Sequence, residues 1–214
     1  MRNVAFFDLD GTLTDPKVGI TTCIARALEK MGRVAPSLKE LEGWIGPPLF
    51  DSFRAHLGSK ALADDALQLY RDRFSNVGMY ENEVYADVES VLKDVSQNCE
   101  SMFVVTSKPQ VFAEPIVRHF GIASFFDRVY GSELDGALAD KGELIAHVMR
   151  EESIDASCVT MVGDRRHDIV GARANGVRSV GVLWGYGSRA ELENAGADCI
   201  CESIVDLPPL LQGR

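Results

Sequence analysis

From about residue 88 onward, short apolar runs alternate with helix-length amphipathic runs, and this rhythm most constrains the fold. Residues 88–96 have helical spacing, 101–106 (SMFVVT) read as an apolar strand, and 110–120 as a helix closed by Gly121. A short strand over 128–130, a helix over 141–152, a strand over 157–162, a helix over 167–175 ended by Gly176 and a strand over 179–183 follow. A short helix over 190–195 and an edge strand over 199–201 complete the series. At the other end of the chain, 4–8 (VAFFD) is a buried strand that turns abruptly polar at DLDGT. Strand and helix in alternation predict a parallel, Rossmann-like α/β sheet with helices on both faces.

One stretch breaks the rhythm. Apolar residues Ile20, Ile24, Ala27, Leu28 and Met31 recur at helical spacing over 19–31, and Gly32 is a stop signal. Ser37 with Glu40 three residues later predicts a capping box opening a helix through 44. Gly46-Pro47-Pro48 breaks that helix, and 49–56 and 61–77 read as two more. The whole of 16–83 is therefore expected to be helical and inserted after the first strand, with hinges near 15–17 and 82–85. The core is then 1–15 with 84–214.

Composition narrows the class. With 214 residues, 46% hydrophobic and 25% charged, the chain has the balance of a water-soluble globular protein. No apolar run reaches the ~20 residues a membrane helix needs, and a signal-peptide pattern is missing at residue 1, so cytoplasmic residence and no membrane partner are expected. A net charge of -10 argues against a nucleic acid polymer as partner. The five cysteines, an odd and scattered set, predict reduced thiols, not a disulfide framework or zinc site.

Ligand sites of open parallel sheets lie beyond the carboxyl ends of the strands. Asp8 and Asp10 fall just past the first strand, Thr106, Ser107 and Lys108 past the second, and Gly163 and Asp164 past the 157–162 strand. Lys141 opens the helix after the 128–130 strand and its loop. Clustered carboxylates suit magnesium, which binds through a few of them together with water and substrate phosphate. A carboxylate can also act as a nucleophile through an aspartyl phosphate. Lysine, hydroxyl and main-chain N–H groups would neutralise a transferring phosphoryl group, and Gly11 permits the tight turn this needs.

These residues resemble the motifs of the haloacid dehalogenase superfamily of hydrolases, in its phosphoglycolate-phosphatase-like branch. Asp8, Asp10, Gly11, Thr12, Leu13 and Asp15 match D-x-D-G-T-[LV]-x-[DE]; Thr106 ends an apolar strand; Lys141 precedes a helix; Gly163, Asp164 and Asp168 match G-D-x-x-x-D. The resemblance implies a magnesium-dependent phosphatase for a small phosphomonoester. Asp8 is then the nucleophile and Asp10 the general acid and base. Thr106, Ser107, Lys141 and Gly11 belong to the phosphate site, and Asp8, Asp10 (by its carbonyl), Asp164 and Asp168 to the metal site. Asp168 would hold a metal-bound water or orient Lys141. The helical insertion is similar to the small cap domain that selects substrates in such enzymes, and a monomer or homodimer fits. One departure stands out: relatives read Tyr-Pro-Gly after the cap, and this chain reads Tyr85-Ala86-Asp87.

Other readings stay in view. Lys108 competes with Lys141. Asp168 could cap its helix, and His167 is expected at the surface. Arg165 and Arg166 are either solvated or near the phosphate. Packing is the expectation for Trp184 and Tyr186, and for Phe50, Phe53 and Arg54. A phosphomutase of the same fold remains possible. A signalling phosphoacceptor domain is disfavoured by Asp10 and by the insertion, and a dehalogenase by Asp10, since no alkoxide needs a proton there.

Overall fold

The computed structural model describes residues 3–212. Strand β1 (Val4–Phe7) is apolar and buried along its whole length, the signature of an inner strand of a parallel sheet covered on both faces. A two-residue strand β2 (Thr14–Asp15) follows the DLDGT turn and pairs with β3 (Glu83–Val84). The main sheet adds β4 (Ser101–Pro109), β5 (Arg128–Ser132), β6 (Val159–Gly163), β7 (Arg178–Val182) and β8 (Cys199–Cys201) in the order β5-β4-β1-β6-β7-β8, with every pair parallel.

The chain divides into two units, Met1–Asp15 with Val84–Arg214, and Pro16–Glu83. The smaller holds α1 (Lys17–Lys30), α2 (Leu38–Leu41), α3 (Leu49–Leu57) and α4 (Lys60–Phe74). Ser37 and Glu40 form the expected capping box. The helix expected through 44 ends earlier and continues as a 3-10 turn over Glu42–Trp44. Phe53 is fully buried with its ring edge-on to Trp44, so packing is its role there. Arg54 pairs with Asp51 at 3.2 Å and stays exposed. The Arg73 guanidinium grips Glu81 with two hydrogen bonds, 2.7 and 2.9 Å, the bidentate geometry that makes such pairs strong. Glu83 belongs to β3, so the stretch 16–83 is not helical to its end.

The larger unit adds α5 (Val88–Ser96), α6 (Gln110–His119), α7 (Lys141–Glu151), α8 (Arg166–Ala174), α9 (Arg189–Ala195) and α10 (Leu207–Leu210). Phe6, Phe103, Val105, Leu144, Ile145, Val148 and Met161 form one core cluster under α7 and α8, with Phe6 and Phe103 packed edge to face at 5.7 Å. The strand expected over 101–106 runs on to Pro109, with a register shift between Val105 and Pro109. Such irregularities re-aim side chains, and here the residue carried by the extension is Lys108. Asp87, where the resemblance leads one to expect glycine, has φ 65°, a left-handed conformation that aspartate tolerates better than most residues. All five cysteines are free thiols. Among the described residues no helix is long and apolar enough to cross a membrane.

Candidate active site

Parallel register builds the site. Phe7 lies opposite Val104 on one side and Val162 on the other. Asp8 and Asp164 therefore leave the sheet at the same edge, and Thr106 lies at that edge where β4 runs on past the end of β1. The chain runs outward from β1 in both directions along the sheet, the kind of switch point at which open α/β sheets hold ligands. The Asp8 N–H is tied to the Val162 carbonyl at 2.9 Å, which extends the pairing one residue beyond β1.

Close helix packing supplies the lysine and the far acid. A Cβ on Gly171 of α8 would lie 2.9 Å from the Gly142 nitrogen and 3.1 Å from the Lys141 Cβ, so only glycine lets α7 and α8 approach this closely. The Asn175 side-chain amide donates to the Gly142 carbonyl at 2.9 Å and ties the two helices. Lys141 Nζ then lies 3.0 Å from Asp8 Oδ1 and 2.8 Å from Asp168 Oδ1, and donates to the Val105 carbonyl at 2.9 Å. Asp168 also accepts the Arg165 N–H at 3.1 Å. Helix capping and lysine orientation thus coexist in one carboxylate. Lys108 Nζ lies 2.7 Å from Asp10 Oδ2. The two competing lysines divide the acids between them.

Burial dominates the electrostatics. Asp8, Asp10, Asp164, Asp168 and Lys141 are all buried, Asp164 completely. Burial pushes the Asp10 carboxyl above its usual range, although Lys108 pulls the other way. Asp164 is pushed well up by burial and by the neighbouring Asp168 and Asp8 charges. Asp168 is raised by burial to about 6 despite Lys141. For Lys141, burial alone would lower the value, but Asp168 and Asp8 outweigh it and the ammonium is held above its ordinary range. Every acid shifted here is asking for positive charge.

The donor set fits a hard divalent cation. Asp8, Asp164 and Asp168 each offer an oxygen within 4.8 Å of the others. Asp8 Oδ1, Asp10 Oδ1 and Asp168 Oδ1 are buried yet accept no hydrogen bond, and such orphaned oxygens require an explanation. Lys141 stands at ion-pair distance from two of them without hydrogen-bond geometry. Four carboxylates against two ammonium groups leave a formal deficit of two positive charges, which a magnesium ion would fill.

The remaining expected residues enter unequally. Thr106 is buried, and its hydroxyl accepts the Lys108 N–H at 3.3 Å. Ser107 contributes its carbonyl to the Ser132 hydroxyl at 2.8 Å. The Gly11 N–H already bonds the Thr14 carbonyl at 2.7 Å. Its contribution is the turn itself: φ is 83°, and a Cβ would sit 2.3 Å from Asp164 Oδ2. Arg165 turns to Glu191 at 3.0 Å. His167 is half-buried, with burial lowering its value, and Arg166 and Arg165 add to the effect.

Two residues read as packing are wired into the site. The Trp184 indole donates to the Thr12 carbonyl at 2.9 Å, and the Tyr186 main-chain N–H donates to Asp164 Oδ2 at 2.7 Å. The glycines on either side of Tyr186 were the available signal.

The chain is also similar to known proteins. The family model "Haloacid dehalogenase-like hydrolase" matches residues 5–182. A 5'-nucleotidase of Pseudomonas aeruginosa is 42% identical over 97% of this chain and 95% of its own length. The tyrosine-protein kinase PtkA of Mycobacterium tuberculosis is 35% identical over 86% of this chain and 63% of its own. The crystal structure of a predicted phosphatase from Clostridium acetobutylicum superposes with a TM-score of 0.95 at 39% identity, covering 99% of this chain and 98% of that one. The chain belongs to the haloacid dehalogenase-like hydrolases, and within them to the phosphatases.

Proposed function

We propose that the chain is a magnesium-dependent phosphatase for a small phosphomonoester, a nucleoside 5'-monophosphate or a phosphoglycolate-like anion, acting through an aspartyl phosphate on Asp8. The observation that carries this is the convergence of the buried Asp8, Asp164 and Asp168 carboxylates, with one ammonium, Lys141, shared between Asp8 and Asp168, beside Asp10. Asp8 attacks phosphorus, and the phosphorus–ester oxygen bond breaks as the aspartyl bond forms. Asp10, whose burial favours the protonated form, gives its proton to the leaving alkoxide. It then takes a proton from the water that attacks the aspartyl phosphate. Thr106 and Lys141 hold phosphate oxygens, and Lys141 restrains the Asp8 charge. Magnesium, held by Asp8, the Asp10 carbonyl, Asp164 and Asp168, would supply charge neutralisation at the phosphoryl oxygens. Residues 16–83 are the proposed cap, and selection among substrates belongs to them.

The test is a panel of phosphomonoesters assayed with magnesium for specificity constants and inorganic phosphate. It includes nucleoside 5'-monophosphates, phosphoglycolate, sugar phosphates and a phosphotyrosyl peptide, the last because of the mycobacterial relative. Phosphate release from a small ester supports the reading. No turnover of any member sinks it, and an isomerised sugar phosphate would make the enzyme a mutase.

A further inference from the structure

The loop after β7 makes contacts that the proposed reaction leaves unused. Gly185 and Gly187 flank Tyr186, and neither position has room for a side chain. A Cβ at 185 would lie 2.2 Å from the Gly11 carbonyl oxygen, and one at 187 would lie 1.8 Å from the Asp164 carbonyl oxygen. The loop backbone is therefore seated directly on the DLDGT turn and on Asp164. There the Tyr186 N–H donates to Asp164 Oδ2 at 2.7 Å. The other carboxylate oxygen accepts from the Thr12 hydroxyl at 3.4 Å, and the Thr12 carbonyl in turn accepts from Trp184.

The side chain of the same residue reaches elsewhere. The Tyr186 hydroxyl donates to Asp15 Oδ1, and the Tyr85 hydroxyl lies near it. Asp15 is the last residue of the larger unit before the chain leaves it, and Tyr85 follows Val84, the first residue on return. Asp15 lies in β2 and Val84 in β3, and Tyr85 N–H bonds the Leu13 carbonyl at 3.2 Å. One tyrosine thus holds the Asp164 carboxylate by its main chain and Asp15, on the outgoing strand, by its hydroxyl, while Tyr85 on the returning side is tied to Leu13 beside it.

We propose that Tyr186 is a positioning residue that couples the Asp164 carboxylate to the two crossing strands, so that a divalent cation on Asp164 tightens Asp15 and Tyr85. The coupling rests on the magnesium reading above. A cation fixes the Asp164 side chain, the fixed carboxylate orders the loop through the Tyr186 N–H, and the ordered phenol restrains Asp15 and, through the adjoining strand, Tyr85. The crossing strands carry the proposed cap, so this would bring metal occupancy to the residues on which cap motion turns.

Hydrogen exchange with and without magnesium tests it, alongside calorimetric titration of magnesium. In the wild-type chain, magnesium is expected to slow exchange at the Asp15 and Tyr85 amides by about fivefold or more. Tyr186→Phe keeps the main-chain N–H, so magnesium affinity should stay within about threefold while the slowing disappears. Asp15→Ala removes the acceptor from the other end, should lose the slowing at Tyr85, and serves if the phenylalanine variant does not fold. Magnesium binding without slowing in the wild type overturns the coupling and leaves the metal reading standing. Equal slowing in Tyr186→Phe removes the tyrosine from the account. No magnesium binding by the wild type overturns the metal reading and the coupling together.

Discussion

Replacing Asp164 by asparagine should stabilise the metal-free protein while abolishing its response to magnesium. Asp164 is fully buried, pairs with no lysine among the described residues, and shares its site with the carboxylates of Asp8 and Asp168 within 4.8 Å. Two like charges at that distance repel by about 3 kcal/mol at an effective dielectric of ~20. Linkage sets a ceiling. A carboxyl that ionises near 3.8 in the unfolded chain and is raised in the fold costs at most about 1.4 kcal/mol per pH unit above that value, so about 4 kcal/mol at pH 7.

Asparagine keeps the shape, can accept from Tyr186 N–H, and lets the Thr12 hydroxyl reverse its role, so neither bond need be lost. A gain of about 3 kcal/mol in a chain of this size raises the melting midpoint by roughly 6–12 °C. The sign follows from protons. The unfolded wild type releases a proton from this carboxyl as pH rises past 3.8, the folded wild type keeps it longer, and wild-type stability falls with pH. The variant's advantage should therefore be large at pH 7 and vanish near pH 4.

The assay is thermal denaturation of both proteins with chelator and with excess magnesium at the two pH values. Saturation at about 100 times the dissociation constant should add about 2.7 kcal/mol to the wild type and nothing to the variant. A metal-free variant that melts below the wild type at pH 7, or equal magnesium shifts in both, would refute the reasoning.

Other outcomes follow from named contacts. Lys108→Met leaves Asp10 buried without the charge that pulls its value down. The limb of the kcat/KM pH profile due to the general acid should move to higher pH, with kcat falling about 10–100-fold; an unmoved limb would separate Lys108 from Asp10. Asp87→Gly relieves a left-handed residue at φ 65° and should add up to about 1 kcal/mol, read as a higher denaturation midpoint with unchanged slope. Gly171→Ala forces α7 and α8 apart at the Lys141 backbone. It should cost about 1–3 kcal/mol and lower kcat more than it raises KM, because the lysine that moves touches Asp8. A stability loss with intact kcat would show that Lys141 adjusts freely.

The alternation that begins near residue 88 carried most of the fold, because apolar periodicity reports burial and burial sets the layers. The helix Val88–Ser96 and the strand Cys199–Cys201 lie where the pattern places them. Asp8, Asp10 and Asp164 were legible for a different reason: charged residues just past apolar strands have few places to go in a parallel sheet, whereas Lys141 and Asp168, carried on helices, were expected from the motif resemblance. What escaped was held by the main chain or by very short elements. The β2–β3 ribbon has two residues in each strand, too few for any period. Lys108 owes its place to an irregularity between Val105 and Pro109 that leaves no compositional mark. Tyr186 meets Asp164 through a backbone N–H, which every residue but proline carries, so only Gly185 and Gly187 hinted at the close approach.

The covalent role of Asp8 is the center of this account, and trapping tests it most directly. Asp10→Asn protein is mixed with a radiolabelled aryl phosphate that the wild type turns over, with magnesium present; a phenolate leaves without needing a proton, so this variant is slowed at the second step. It is quenched in acid within milliseconds and reduced with borohydride before peptide mapping. The account predicts label retained on the acid-quenched protein, and conversion of Asp8 alone to homoserine in the peptide that follows β1. A wild-type enzyme that turns over the same ester while Asp8 stays unlabelled and unreduced in the variant would contradict it.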